Sequence, residues 1–102
     1  MRSSASDLIV IASAKAKPGK EAELESALRE AARPTREQHG CVEFRLLRMK
    51  GTRSTLVGFE RWASEADHDR HLKGAHVQRL MQRMAEILAE PPNIVAYEVL
   101  DE

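Results

Sequence analysis

Residues 56–76 read LVGFERWASEADHDRHLKGAH, and they decide the fold because their pattern changes from that of a strand to that of a helix. Up to Trp62 the side chains alternate, which is typical of a half-buried strand. Four residues share one face of this strand: Leu56, Gly58, Glu60 and Trp62. Ser64 is a good N-cap, and Asp67 stands where a capping-box partner would. We predict a strand that ends at Trp62 and a helix that follows at once.

Three of the four histidines lie in this stretch. His68 and His71 are three residues apart and share a face of the predicted helix. His71 precedes Leu72 and is expected to point inward. His76 would open the next helix beside free backbone N–H groups, where an imidazole tends to stay neutral and can accept a hydrogen bond or act as a general base. Exposure to solvent or a structural role is the alternative for each.

Two further side chains of the strand leave two interpretations open. Burying the carboxylate of Glu60 on an apolar face is costly without partners. It either pairs with an arginine, Arg45 or Arg61, or orients a ligand or a histidine. Trp62 is either a core or interface aromatic or a surface on which a ligand stacks.

Outward from this stretch, the pattern predicts seven elements in the order βαββααβ. They are strand 8–17, helix 20–33, strand 42–49, strand 55–62, helix 64–72, helix 75–90 and strand 93–100, with Pro34 interrupting or kinking the first helix,. This order predicts an α+β fold, a ferredoxin-like plait with one antiparallel sheet and its helices on one face. Residues 1–7 are expected to be flexible and residues 8–102 to form one domain.

The first and last strands carry large apolar residues on both faces, although the helices can cover only one. The simplest cover for the other face is a second copy of the chain. We therefore expect a two-fold homodimer that packs sheet against sheet.

Composition excludes several classes of protein. The sixteen basic and sixteen acidic residues give no net charge, and the basic residues do not cluster along the sequence. This argues against nucleic acid as a partner, because a surface that binds nucleic acid carries a basic stripe. The longest apolar run is too short to cross a membrane, and no signal-peptide core follows the N-terminus, so we expect a cytoplasmic protein. Cys41 is alone, and a small buried residue is the better interpretation than a nucleophile,. No motif for a dedicated metal site is present.

Several motifs together resemble the antibiotic biosynthesis monooxygenase (ABM) family. They are Lys17-Pro18-Gly19-Lys20-Glu21 after the first strand, Arg33-Pro34-Thr35-Arg36 before Gly40-Cys41, Glu60-Arg61-Trp62 followed by His71-Leu72 and His76-Val77, and Glu90-Pro91-Pro92 before the last strand. The resemblance covers residues 8 to 100, and it rests on the order and spacing of the motifs together.

This resemblance implies a dimeric α/β barrel with a pocket between sheet and helices in each subunit. It also implies oxidation of a small aromatic phenol or quinol by O2 without metal or other cofactor. Trp62 would then flank the substrate, and His71 or His76 would take or hold its hydroxyl proton. The remaining expected substrate contacts are the polar residues Ser13, Arg45 and Glu60 and the apolar residues Phe44, Met81 and Met84. The alternatives are an isomerase and a non-catalytic small-molecule-binding dimer on the same fold.

Overall fold

Seven elements follow one another in residues 7–101, the part of the chain that this computed structural model describes. In chain order they are β1 (Leu8–Lys15), α1 (Glu21–Arg36), β2 (Cys41–Arg48), β3 (Thr55–Trp62), α2 (Glu65–Leu72), α3 (Ala75–Ile87) and β4 (Asn93–Glu98). The predicted order βαββααβ is therefore confirmed. Most of the segment predicted to be flexible, residues 1–6, lies outside the described residues. Asp7 is described: it is buried, and its Oδ2 accepts a hydrogen bond from Arg61 Nε at 2.6 Å.

The strands form one antiparallel sheet in the order β2-β3-β1-β4, which confirms the ferredoxin-like plait. Along β3, buried and half-buried side chains alternate without exception. α1 packs against β2 and α3, and α2 packs against β3 and α3. All three helices therefore lie on one face of the sheet, which is the face of the buried Trp62 and Leu56.

α1 runs through Pro34 to Arg36, so of the two outcomes predicted at Pro34, an interruption or a kink, the interruption is wrong. A proline removes one backbone donor and crowds the carbonyl four residues before it. Here it stands in the last turn, where few hydrogen bonds remain to be lost. The hydroxyl of Thr35 donates to the carbonyl of Ala31 at 2.8 Å and adds a side-chain hydrogen bond to that same turn.

α3 ends at Ile87, three residues earlier than predicted. Leu88 has an extended backbone and forms a bridge with Ala16, and the N–H of Ala89 donates to the carbonyl of Lys15 at 2.8 Å. Pairing with the end of β1 thus replaces the last helical turn. β1 and β4 also each end two residues before their predicted limits.

The corner between β3 and α2 is held from two sides. Ser64 Oγ accepts a hydrogen bond from the backbone N–H of Asp67 at 3.1 Å, which confirms the predicted N-cap. The backbone N–H of Ala63 donates to the carbonyl of Gly40 at 2.8 Å. Gly40 has a φ of +87°, and a Cβ there would lie 2.2 Å from Asp67 Cγ, so only glycine allows α2 to start this close,. This contact fixes where α2 sits on the sheet.

Two cross-strand rows on the helix-covered face determine where the interior is filled. The first row pairs Leu56 with Ala14, within the hydrophobic core. That core continues through Leu24, Ala27, Met84 and Ile87 of the helices and through Leu88, just after α3. In the next row the central residues are the smallest, Ala12 opposite Gly58. The sheet thus provides little side-chain volume in its middle, directly beyond the packed core.

The opposite face of the sheet has no covering element within the described residues. Its apolar side chains are half-buried or exposed: Ile9, Ile11, Leu47, Val57, Phe59, Val95 and Tyr97. As predicted, the first and last strands of the chain, β1 and β4, place apolar side chains on both faces of the sheet. Among residues 7–101, no helix combines the length and the apolar character that a membrane crossing requires.

Candidate functional site

A cavity of about 230 Å³ lies between the sheet and the helices, where the small residues leave space. Ala12 and Gly58 form its floor, and Ala31 of α1 faces the same space. The larger apolar residues around it are Leu28, Phe44, Leu46, Leu72, Val77, Leu80, Met81 and Met84. Such a lining binds an apolar molecule and leaves orientation to the few polar groups among them.

The cavity reaches the surface beside β4, the edge strand. Ile94 on β4 and Met81 on α3 both line it, and they are 43% and 39% exposed. Pro92 lies next to this opening, in the connection between α3 and β4. A ligand would therefore enter between α3 and β4 and meet the polar residues at the other end.

His71, on α2, lines the cavity, and its hydrogen-bond partner determines which ring nitrogen carries the proton. Its Nδ1 lies 2.5 Å from the side-chain oxygen Oε1 of Gln38, in the connection between α1 and β2. An amide oxygen can only accept, so Nδ1 carries the proton. Nε2 therefore keeps its lone pair and can accept a hydrogen bond from a ligand hydroxyl.

The pKa of His71 is lowered from 6.5 to about 4, first by burial and then by the neighbouring imidazoles of His76 and His68. The ring centroids of these two neighbours lie 5.7 and 6.0 Å away. Burial also lowers the pKa of His68, which lines the cavity. Both rings are consequently neutral at neutral pH.

Glu60 is the carboxyl that the described residues bring to the cavity. It is only 6% exposed, and its Oε1 accepts a hydrogen bond from the indole N–H of Trp62 at 2.9 Å. Burial raises the pKa of Glu60, while the hydrogen bond from Trp62 opposes the rise. Neither arginine considered from the sequence pairs with it, because Arg45 binds Glu43 and Arg61 binds Asp7 on the other face.

Trp62 is fully buried and lies beneath the polar end of the cavity, outside its lining. Its ring packs against His71 with centroids 4.7 Å apart. One tryptophan thus contacts Glu60 through its N–H and His71 through its ring.

His76 lies behind His71, outside the cavity lining. Its Nε2 is 3.1 Å from the hydroxyl of Thr35, whose own proton is donated to the carbonyl of Ala31. The hydroxyl must accept, so Nε2 of His76 carries the proton. Burial, and after it the charge of Arg79, lowers the pKa of His76, as expected for a neutral imidazole at a helix start.

The structure brings six of the nine predicted site residues to the cavity: Ser13, Phe44, Glu60, His71, Met81 and Met84. Ser13 borders it at a β1 position whose side chain alternates toward the other face. Trp62 and His76 adjoin it through His71. Arg45 lies on the opposite face of the sheet and does not reach it.

Sequence reasoning missed two residues that support the site. Gln38 sets the tautomer of His71, and Thr35 sets that of His76. Thr35 lies in the last turn of α1 and Gln38 just after it, each more than 30 residues before the histidine that it contacts. No local sequence pattern links either residue to its histidine. Within residues 7–101, no group of three or more His, Cys, Asp or Glu side chains converges as metal ligands would.

Residues 7–83 match the family described as antibiotic biosynthesis monooxygenase. The chain belongs to this ABM family. It is 28% identical over 92 residues to the Bacillus subtilis (strain 168) protein named "Putative monooxygenase YcnE", covering 90% of this chain and 97% of YcnE.

Solved structures from two further organisms share this ABM fold. Rv0793 from Mycobacterium tuberculosis aligns with a TM-score of 0.90 at 29% identity, covering 95% of this chain and 98% of Rv0793. PA3566 from Pseudomonas aeruginosa aligns with a TM-score of 0.89 at 25% identity, covering 98% of this chain and all of PA3566. The resemblance inferred from the motifs is confirmed.

Proposed function

We propose that this ABM protein is a cofactor-independent monooxygenase that oxidises a small aromatic phenol or quinol with O2. One observation carries the proposal: an apolar cavity ends at His71, whose Nε2 lone pair is held available by Gln38. Family membership and the likeness to YcnE support oxygenation as the reaction class.

The volume of the cavity limits the substrate. A cavity of about 150 Å³ holds one benzene molecule. At about 230 Å³, this cavity suits a molecule of one or two rings. Phe44, Met81 and Met84 would pack on the faces of these rings,.

The chemistry balances without an outside reductant. A naphthalene-1,4-diol and one O2 give 2-hydroxy-1,4-naphthoquinone and one water, and all four electrons come from the diol. A C–O bond forms on the ring, and the second oxygen atom leaves as water. The protein binds the diol, holds its hydroxyl and excludes bulk water from the ring.

The role of His71 follows from its low pKa. A neutral imidazole with a pKa of about 4 accepts a hydrogen bond well but removes a proton only from an acidic hydroxyl,. His71 therefore orients the hydroxyl and takes its proton as the ring loses electrons to O2. His76 and Trp62 keep the ring of His71 in place from behind.

The second part of the proposal is a homodimer through the open sheet faces. The apolar row across this face includes Ile11 opposite Phe59 and Val95, and none is covered within the described residues. A second copy would bury it and place the two cavities on the outer sides of the pair.

The test is oxygen uptake with naphthalene-1,4-diol, corrected for its oxidation without protein. The wild type should form 2-hydroxy-1,4-naphthoquinone without hydrogen peroxide, whereas simple autoxidation yields 1,4-naphthoquinone and peroxide. His71→Asn keeps a donor toward Gln38 but removes the acceptor Nε2. We expect a rate at least about a hundredfold lower with binding retained, as for loss of a general base.

His39→Asn is the matched control, because His39 is exposed and outside the cavity. It should keep the wild-type rate. Equal rates in the wild type and His71→Asn would refute the assignment of His71, and peroxide with unsubstituted naphthoquinone as the products would refute monooxygenation.

Small-molecule binding without turnover is the second candidate, and the low pKa of His71 favours it. Such an imidazole can hold a ligand hydroxyl without removing its proton. This candidate predicts that the diol and its non-oxidisable analogues bind equally well and that the protein consumes no oxygen.

A further inference from the structure

The carboxyl of Glu60 is buried at the polar end of the cavity with a single hydrogen-bond donor among the described residues, the indole of Trp62. That donor occupies Oε1. Burying a charged carboxylate is costly unless it is paired with a cation. Within residues 7–101, no Lys or Arg forms an ion pair with Glu60.

The second oxygen, Oε2, lies beside the floor of the cavity. A Cβ placed on Gly58 would be 3.6 Å from Oε2 and 3.6 Å from the ring of Phe44. Gly58 lines the cavity, so the space directly above it is bounded by this oxygen and this ring. A ligand ring packed on Phe44 would therefore bring a ring substituent to Oε2.

We propose that Glu60 is a neutral hydrogen-bond donor that recognises a carbonyl oxygen of the ligand, so that the cavity selects aromatic ketones over plain hydrocarbons. The proposal rests on the proposed function, because it takes the same cavity as the substrate site. It adds a second requirement for the substrate, which would carry a carbonyl that Glu60 binds as well as a hydroxyl that His71 binds.

Three observations agree with a neutral acid. The surrounding wall is almost entirely apolar, no cation among the described residues pairs with Glu60, and burial raises the pKa of Glu60 more than the hydrogen bond from Trp62 lowers it. The carbonyl oxygen of a neutral carboxyl is a stronger acceptor than its hydroxyl oxygen, so the N–H of Trp62 on Oε1 favours the acidic hydrogen on Oε2, beside the cavity floor,.

A donor at this place would also help the proposed oxidation. When the carbonyl and the hydroxyl belong to one conjugated system, a hydrogen bond to the carbonyl makes the hydroxyl more acidic. Such a hydroxyl loses its proton to the weakly basic His71 more readily than a simple phenol does,.

The experiment compares two bicyclic ligands of one skeleton, 1-indanone and indane, by calorimetric titration in three proteins. Glu60→Gln keeps an acceptor for Trp62 and a donor toward the cavity, whereas Glu60→Leu keeps neither. We expect wild type and Glu60→Gln to bind 1-indanone alike and Glu60→Leu to bind it roughly tenfold more weakly. Indane should bind Glu60→Leu at least as well as the wild type, which also shows that this variant retains the cavity.

Three results would overturn the proposal. One is equal or tighter binding of 1-indanone by Glu60→Leu, as an ionised Glu60 facing the ketone would give. Another is loss of 1-indanone binding in Glu60→Gln, and the third is failure of the wild type to bind 1-indanone. These ligands contain no oxidisable hydroxyl, and the titration excludes oxygen. The binding result therefore does not depend on whether the protein oxidises the quinol, and the result of the oxidation assay does not depend on whether 1-indanone binds.

Discussion

At the scale of single residues, the site depends on two of the smallest side chains in the sheet. Gly58 and Ala12 are opposite each other and leave an open space above the sheet. In the neighbouring row the same positions hold Leu56 and Ala14, whose side chains belong to the packed core. A glycine inside a strand often marks the close approach of another group. Here the group that approaches would be the ligand.

Gly58→Ala should narrow the cavity without disturbing the fold. Its Cβ would meet Glu60 and Phe44 at ordinary contact distances of 3.6 Å, and the strand backbone suits alanine. We expect the free energy of unfolding to change by less than about 1 kcal/mol. A two-ring ligand such as 1-indanone should bind roughly tenfold more weakly in calorimetric titration, because overpacking costs about 1–3 kcal/mol.

Phenol serves as the control ligand for this variant. A single ring can shift away from the added methyl, so its affinity should change little. Unchanged affinity for 1-indanone in Gly58→Ala would contradict the position of the ligand above Gly58.

The side chains that Glu60, Trp62 and His71 contact were harder to predict than the face of the sheet or helix on which each residue lies. Alternation along β3 placed Glu60 and Trp62 on the covered face. It could not show that they would bind each other, because residues two apart in a strand share a face at a distance that only long side chains can bridge. Gln38 had no signal at all, since its contact with His71 depends on how α1 and α2 pack.

At the scale of elements, α2 is short and carries two buried histidines in only eight residues. Its start was predictable, because the Ser64 cap is a local signal. The course of α1 through Pro34 and the end of α3 at Ile87 were not, because each depends on contacts that propensity does not include. Tertiary pairing with β1 replaced a helical turn in α3, whereas α1 continues through Pro34 within its own last turn, where Thr35 donates to Ala31.

The buried histidines of α2 should make stability depend on pH. In the unfolded chain His71 binds a proton near pH 6.5, whereas in the fold its pKa is about 4. The stability that comes from the neutral ring is therefore complete above pH 6.5 and is lost as the pH falls toward 4. The largest loss from this residue is about 3 kcal/mol. Urea unfolding at pH 7.5 and pH 4.5 measures it.

His71→Asn provides the comparison, because it cannot be protonated and keeps a donor for Gln38. The difference in stability between the wild type and this variant should shrink at pH 4.5. The lowered pKa values of His68 and His76 reduce stability at low pH in both proteins. The raised pKa of Glu60 has the opposite effect on stability in both. Parallel stability curves for the two proteins would contradict the lowered pKa.

At the scale of the whole molecule, the sheet separates two apolar regions. The helices cover one, and the other consists of open-face residues from all four strands. This division was predictable from the sequence, since both faces of β1 carry large apolar side chains. The cavity was implied only by family resemblance, because a void results from residues that are distant in the chain.

Ile11→Asp should convert the proposed dimer to monomers. Ile11 is central in the open face, paired with Phe59 on one side and Val95 on the other, and a buried unpaired charge there is costly,. Sedimentation velocity should show twice the chain mass for the wild type and one chain mass for the variant. Leu100→Asp is the control, because Leu100 is 92% exposed and lies outside the sheet. A monomeric wild type would contradict the dimer.

The position of Trp62 also gives the protein an optical property. It is the sole tryptophan of the chain, it is fully removed from water, and its ring packs on His71. Its emission should therefore lie at the short-wavelength end of the tryptophan range and dim when the adjacent imidazole becomes cationic. The fluorophore that the fold already contains thus reports, without any label, on the protonation of the residue at the polar end of the cavity.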